Sequence, residues 1–187
     1  MRFSRVEITE LIKAWFVITI AVAIVTSGKV ELGILLLNFV IAAFTVGIGF
    51  VVHELAHKFM AQKYNCFAEF RADNKMLVIS LISAFFGFVF AAPGAVMIWG
   101  RIDTEKNGKI SLAGPLSNLV IAGAFFLVAF TGTSWVQVVA TFGYKINGWL
   151  ALFNLIPIGG LDGSKILAWN KLVYGMCVAA AIPFFFL

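Results

Sequence analysis

The sequence predicts an all-α polytopic membrane protein with five or six spanning helices and one re-entrant or β-hairpin segment near residues 76–100. Three observations predict it. Of 187 residues, 61% are hydrophobic and 12% charged, whereas ordinary globular chains are roughly half apolar and about a quarter charged. Mean hydropathy is +0.99, outside the soluble range. The charged residues are clustered, which leaves apolar runs near the ~20 residues that a spanning helix needs. The length suits one domain, read as a single integral-membrane domain over residues 1–187.

The opening "MRFSRVEITELIK" is too polar and amphipathic to begin a cleavable signal peptide, and no small-residue cleavage site follows the first apolar run. The first span is expected over residues 14–27, extending back toward Leu11 and ending at Ser27-Gly28. The second, at residues 32–60, is the longest apolar segment, and polar "AQKYNCFAEFRADNK" follows it. Residues 76–100 are apolar but interrupted by Gly87, Pro93 and Gly94. One more ordinary spanning helix is the alternative there, because short apolar runs are ambiguous. After polar "RIDTEKNGK", further spans are expected at 110–130, 134–156 and 165–187, with "TGTS" as a tight turn between the first two.

The net charge is +5, but the basic residues are spread along the chain rather than forming one stripe, which disfavours nucleic acid as a partner. They fit membrane-flanking positions instead. Cys66 and Cys177 show no CxxC spacing and are expected as ordinary thiols. Lys and Arg gather on the cytoplasmic side of spanning helices. Arg2, Arg5 and Lys13 precede the first span, while Lys58, Lys63, Arg71 and Lys75 follow the second. The N-terminus and the loop after residue 58 are therefore expected in the cytoplasm. Arg101, Lys106 and Lys109 point to the same side, so residues 76–100 should enter the membrane and return. Irregular backbone at that depth survives only when buried in protein or lining a wet cavity.

Polar residues then narrow the function. "GFVVHELAHKFM", residues 49–60, holds both histidines of the chain inside an apolar run. On a helix His53 and His57 share one face, one turn apart, so both imidazoles can bind one zinc. The adjacent Glu54 can then reach the water on that metal, which is the physical content of H-E-x-x-H. The alternative is the polar end of an ordinary helix, but an ionisable group at that depth is a functional feature by default. A catalytic zinc needs a third protein ligand. With no third histidine, the nine acids are the candidates. Glu7 and Glu10 lie in the polar N-terminal segment, Glu31 lies far along the motif helix, and Glu69, Asp73, Asp103 and Glu105 lie in loops read as solvated. Asp162 remains, after an apolar run broken by Pro157, Gly159 and Gly160. Asp-Gly is also an ordinary turn pair. With residues 76–100 re-entrant, the parity of the spans returns Asp162 to the side of His53 and His57.

Asn154 lies in the same apolar segment, where a buried amide would need partners. It can donate to a developing oxyanion, or bond backbone freed near Pro157. In "SLAGPLSNL", Ala113, Gly114 and Ser117 allow close helix approach, and Asn118 reads as structural.

Taken together, His53-Glu54-Leu55-Ala56-His57, Ala113-Gly114-Pro115 with Asn118, and Asn154…Pro157…Leu161-Asp162-Gly163 resemble the site-2 protease family of intramembrane zinc metalloproteases, over a core of about residues 30–165. The resemblance implies one zinc per chain held by His53, His57 and Asp162. It implies Glu54 as catalytic acid/base and Asn154 as a donor to the tetrahedral intermediate. It further implies a transmembrane protein substrate cut within the lipid bilayer, in regulated intramembrane proteolysis, with the site opening toward the cytoplasm. The short form, without an obvious PDZ or CBS domain, looks most like prokaryotic and especially archaeal members, which implies a prokaryotic plasma membrane. Some members have two spans after the Asp-Gly element, where residues 165–187 leave room for one. The rival readings are a membrane metal transporter or carrier, disfavoured by the lack of recognisable inverted repeats, and an inactive relative that binds substrates uncut, disfavoured by the presence of Glu54.

Overall fold

In the computed structural model, residues 2–28, 31–89, 93–131 and 133–186 are described. They form eight α-helices and two strands: α1 (Arg5–Ser27), α2 (Leu32–Ala42), α3 (Ile48–Lys63), β1 (Phe67–Ala72), α4 (Asn74–Ala84), β2 (Gly94–Trp99), α5 (Thr104–Thr131), α6 (Ser134–Asn154), α7 (Asp162–Trp169) and α8 (Lys171–Phe186). A π-helical segment, Ala43–Gly47, joins α2 to α3. Helix makes up 78% of the structure, as the all-α reading expects. Arg5–Ser27, Leu32–Lys63 and Thr104–Thr131 are long and apolar enough to cross a membrane. Leu36, Val40, Phe44, Val120, Leu127 and Phe130 are exposed on these helices. That is the pattern of a surface solvated by hydrocarbon rather than water, and the protein is an integral membrane protein.

The chain divides into two compact units, Met1–Val51 with Ala68–Met97, and Val52–Phe67 with Ile98–Leu187. In the first, α1 starts at an N-cap: Ser4 Oγ accepts from Glu7 N at 3.1 Å. The polar N-terminal segment is thus the first turns of the spanning helix itself. The π segment packs on α1 through Gly47, where an added Cβ would lie 2.5 Å from Trp15 Nε1. Asp73 caps α4 by accepting from Lys75 N and Met76 N at 2.9 and 3.1 Å.

Residues 76–100 are not one spanning helix. α4 stops at Ala84, and the chain is a strand again from Gly94. That strand pairs with β1, which precedes the segment, so the hairpin partner lies upstream of residue 76. Asp73 N donates to Pro93 O at 2.9 Å, so the excursion closes where it began. Gly94 lies against Ala72 while Pro93 faces Asp73, which makes the pair antiparallel. Residues 90–92 lie outside the described residues.

The first unit also corrects the reading of the acids. Glu7 is fully buried, because its carboxylate accepts from Phe70 N at 3.0 Å. Glu69 is buried too, held by Ser4 Oγ and by Arg71 Nη2. Neither is a solvated charge.

In the second unit α5 packs on α6 and α7, and α8 on α6 and α7. Ala151, Leu155, Ile166, Cys177 and Ala181 form its buried core, with Leu112, Leu119 and Tyr174 against it. The span expected at 165–187 is broken. α7 ends at Trp169 and Asn170 caps α8, accepting from Leu172 N and Val173 N at 3.0 and 3.1 Å. Lys58, read among the basic flank, is buried at 1% exposure.

Candidate metal centre

Every group of the site belongs to the second unit. α3 supplies His53, Glu54 and His57, one helical turn separating the two imidazoles. α5 crosses them, and α7 brings Asp162 as its first residue. Asp162 can reach inward because Gly163 lets α7 start against the end of α6. A Cβ on Gly163 would lie 2.1 Å from Leu155 O.

Among the described residues, His53, His57 and Asp162 are the group that could hold a metal ion, and all three are buried. His53 Nε2 lies 3.0 Å from His57 Nε2. Asp162 Oδ2 lies 3.3 and 3.1 Å from these two atoms. Zinc with ligands at about 2.0–2.1 Å in a tetrahedron separates its ligand atoms by about 3.3 Å. The three atoms therefore already stand near the corners of one tetrahedral face.

Two further observations fit a cation. His57 Nδ1 lies 2.8 Å from Ile110 O, a backbone acceptor, so Nδ1 carries a hydrogen and the neutral ring presents its Nε2 lone pair to the centre. A neutral imidazole lone pair facing a carboxylate oxygen at 3.1 Å is repulsive unless a metal ion or a proton lies between them. Gly114 of α5 leaves the room. A Cβ there would lie 2.3 Å from His57 Nε2 and 2.5 Å from His53 Nε2. The second oxygen of Asp162 faces Lys165 Nζ at 3.8 Å, which offsets part of its charge.

Glu54 is buried at 8% exposure, next to His53 on α3. Asn154, the last residue of α6, donates from Nδ2 to Leu150 O at 2.9 Å, one turn back in its own helix. Three participants were not recognised in the sequence. Asn118 touches a ligand, its Oδ1 lying 2.6 Å from His53 Nδ1. Asn147 touches Asn118 across α5 and α6, Asn118 Nδ2 donating to Asn147 Oδ1 at 3.1 Å. Gly114 reads as a helix-packing residue but also walls the centre. The signal available was two amides, Asn118 and Asn147, within apolar helices, since buried amides need partners.

Comparison with known proteins agrees with this chemistry. The chain is 39% identical over 179 residues, 94% of its own length and 90% of the relative's, to "Putative zinc metalloprotease MJ0611" of Methanocaldococcus jannaschii. It is 27% identical over 144 residues, 66% of this chain and 65% of the relative, to "Putative zinc metalloprotease YwhC" of Bacillus subtilis. A third relative, "Zinc metalloprotease MJ0392" of M. jannaschii, is 28% identical over 123 residues, and that match spans only 30% of its length. No protein-family model matches the chain, and no solved structure does.

Proposed function

We propose, from the premise that this chain belongs to the family of these zinc metalloproteases, that it is an intramembrane member of the site-2 protease type. It would hydrolyse peptide bonds within or near transmembrane segments of partner proteins. The observation that carries the reading is the convergence of His53 Nε2, His57 Nε2 and Asp162 Oδ2 within 3.3 Å of one another, from two helices of an integral membrane protein.

One zinc held by these three residues would supply Lewis acidity toward a water and the scissile carbonyl. The chain's own groups do the rest. Glu54 takes the proton of the attacking water on its carboxylate and later delivers it to the leaving amine nitrogen, as a general base and then a general acid. Asn154 has two amide N–H groups. One is committed to Leu150 O, and the other would donate to the oxyanion that develops on the carbonyl. Ile110 O holds the His57 ring through Nδ1.

The substrate must be unwound locally, since helical amides are shielded by their own hydrogen bonds. β2 offers an edge that an extended substrate segment can join. The basic residues favour a cytoplasmic N-terminus and a site opening to the cytoplasm in a prokaryotic plasma membrane. Closure of the excursion between Asp73 and Pro93 supports the parity on which that topology rests.

The test is cleavage of a membrane-protein substrate by purified protein in detergent, with zinc content measured in parallel. Glu54→Gln should keep its zinc and lose cleavage by on the order of 100-fold or more. Equal cleavage by both proteins would sink the mechanism.

A further inference from the structure

The two buried amides behind His53 form a directed chain. At its far end Asn147 Nδ2 lies 2.9 Å from Gly143 O, one turn back in α6. A backbone carbonyl only accepts, so the Asn147 end facing Gly143 must be NH2, and its Oδ1 faces α5. The Asn118 atom 3.1 Å from Asn147 Oδ1 must then be its NH2. That leaves Asn118 Oδ1, an acceptor, 2.6 Å from His53 Nδ1. His53 must carry a hydrogen on Nδ1, and in the neutral ring the lone pair on Nε2 then points at His57 and Asp162. Both asparagines are 0% exposed, so no bulk water competes for these positions.

Each step has one polarity because Gly143 O permits no other. His57 needs no such chain, since it meets a backbone carbonyl directly. His53 has only an amide beside it, and an amide can turn over. Turned over, Asn118 would present NH2 to Nδ1 and move the imidazole hydrogen to Nε2, where it blocks ligation.

We propose that Asn118 and Asn147 are positioning residues for the metal, a relay anchored on the Gly143 carbonyl that locks His53 in the Nδ1–H tautomer and leaves Nε2 free to bind zinc. The inference rests on the zinc-protease reading of the site. Asn147 acts on His53 through Asn118, by deciding which end of that amide faces the ring.

The chain's two histidines make this measurable, because an imidazole 15N spectrum contains just these two rings. The measurement uses full-length protein in detergent, stripped of metal. In wild type both rings should be Nδ1–H. In Asn147→Leu, His57 should be unchanged and His53 should gain an Nε2–H population. Chelator competition should show zinc binding weakened about 10–100-fold, as for loss of other partners behind metal ligands. Asn118→Asp supplies the conservative control, because a carboxylate presents an acceptor to His53 whichever way it turns. In that background, adding Asn147→Leu should cost no further zinc affinity. A wild-type His53 in the Nε2–H form overturns the relay outright, even if no variant folds. So does an equal loss of zinc affinity from Asn147→Leu in both backgrounds, which is what a packing role alone gives. Wild-type protein that has the Nδ1–H tautomers but binds no zinc would instead sink the zinc reading, so the two failures are distinguishable.

Discussion

Gly114→Ala places one methyl group against both histidine ligands. The added Cβ would stand 2.3 Å from His57 Nε2, 2.5 Å from His57 Cε1 and 2.5 Å from His53 Nε2. Ordinary contact begins at 3.4 Å, so the nearest approach is 1.1 Å too short. The rings cannot yield easily, because their Nδ1 atoms are held at 2.6 and 2.8 Å by Asn118 and Ile110. Zinc tolerates ligand displacements of only about 0.2 Å. A shift near 1 Å should therefore weaken zinc by on the order of 100-fold or more, beyond the effect of losing a supporting hydrogen bond. The fold should fare better. Overpacking costs about 1–3 kcal/mol, and Gly→Ala inside a helix returns about 0.5–1 kcal/mol. The expected product is a folded, metal-poor protein. Zinc content by mass spectrometry, beside a circular-dichroism melt, reads both quantities. Full zinc occupancy with wild-type affinity in Gly114→Ala would refute the placement of the centre beside α5.

Asp162→Ala should lower zinc occupancy, with the metal content of purified protein as the measure; full occupancy would remove Asp162 from the ligand set. A zinc chelator should abolish cleavage and added zinc should restore it, whereas chelator-resistant cleavage would point to another chemistry. Ile166→Ala, in the core of the second unit, should cost about 2–5 kcal/mol in a thermal or denaturant melt. Glu7→Ala should destabilise the first unit by about 1–3 kcal/mol, since Phe70 N loses its acceptor in a buried place.

How much of this the sequence shows depends on the range of each interaction. His53, Glu54 and His57 are legible because one helical period alone brings two imidazoles to one face. Asp162 is legible by elimination and by the parity of spans, although the end of α6 and the start of α7 that deliver it are a matter of packing. The Gly114 wall and the Asn118–Asn147 contact depend on which turns of α3, α5 and α6 face one another, and no short-range pattern specifies that. Charge was the least legible property. Glu69 reads as a solvated loop charge and Glu7 as part of a polar N-terminal segment, yet both are buried, because partners come from remote segments. Lys58, read as basic flank, is buried as well. The break at Asn170 is decided by a single capping side chain, which accepts from Leu172 N and Val173 N.

The two carboxylates at the start of α1 have a consequence for self-association. Along a strand, successive N–H groups face opposite edges. Asp73 N turns to Pro93, while Phe70 N and Ala72 N turn the other way and are taken by Glu7 Oε1 and Glu10 Oε2 at 3.0 and 3.2 Å. Side chains of a helix thus stand in for a third strand. An open strand edge is a template for pairing with another chain, and bare donors are most costly where no water can reach them. Closing that edge of β1 with two carboxylates makes the small sheet one-sided, so copies of the protein crowded into a membrane have one fewer edge by which to adhere.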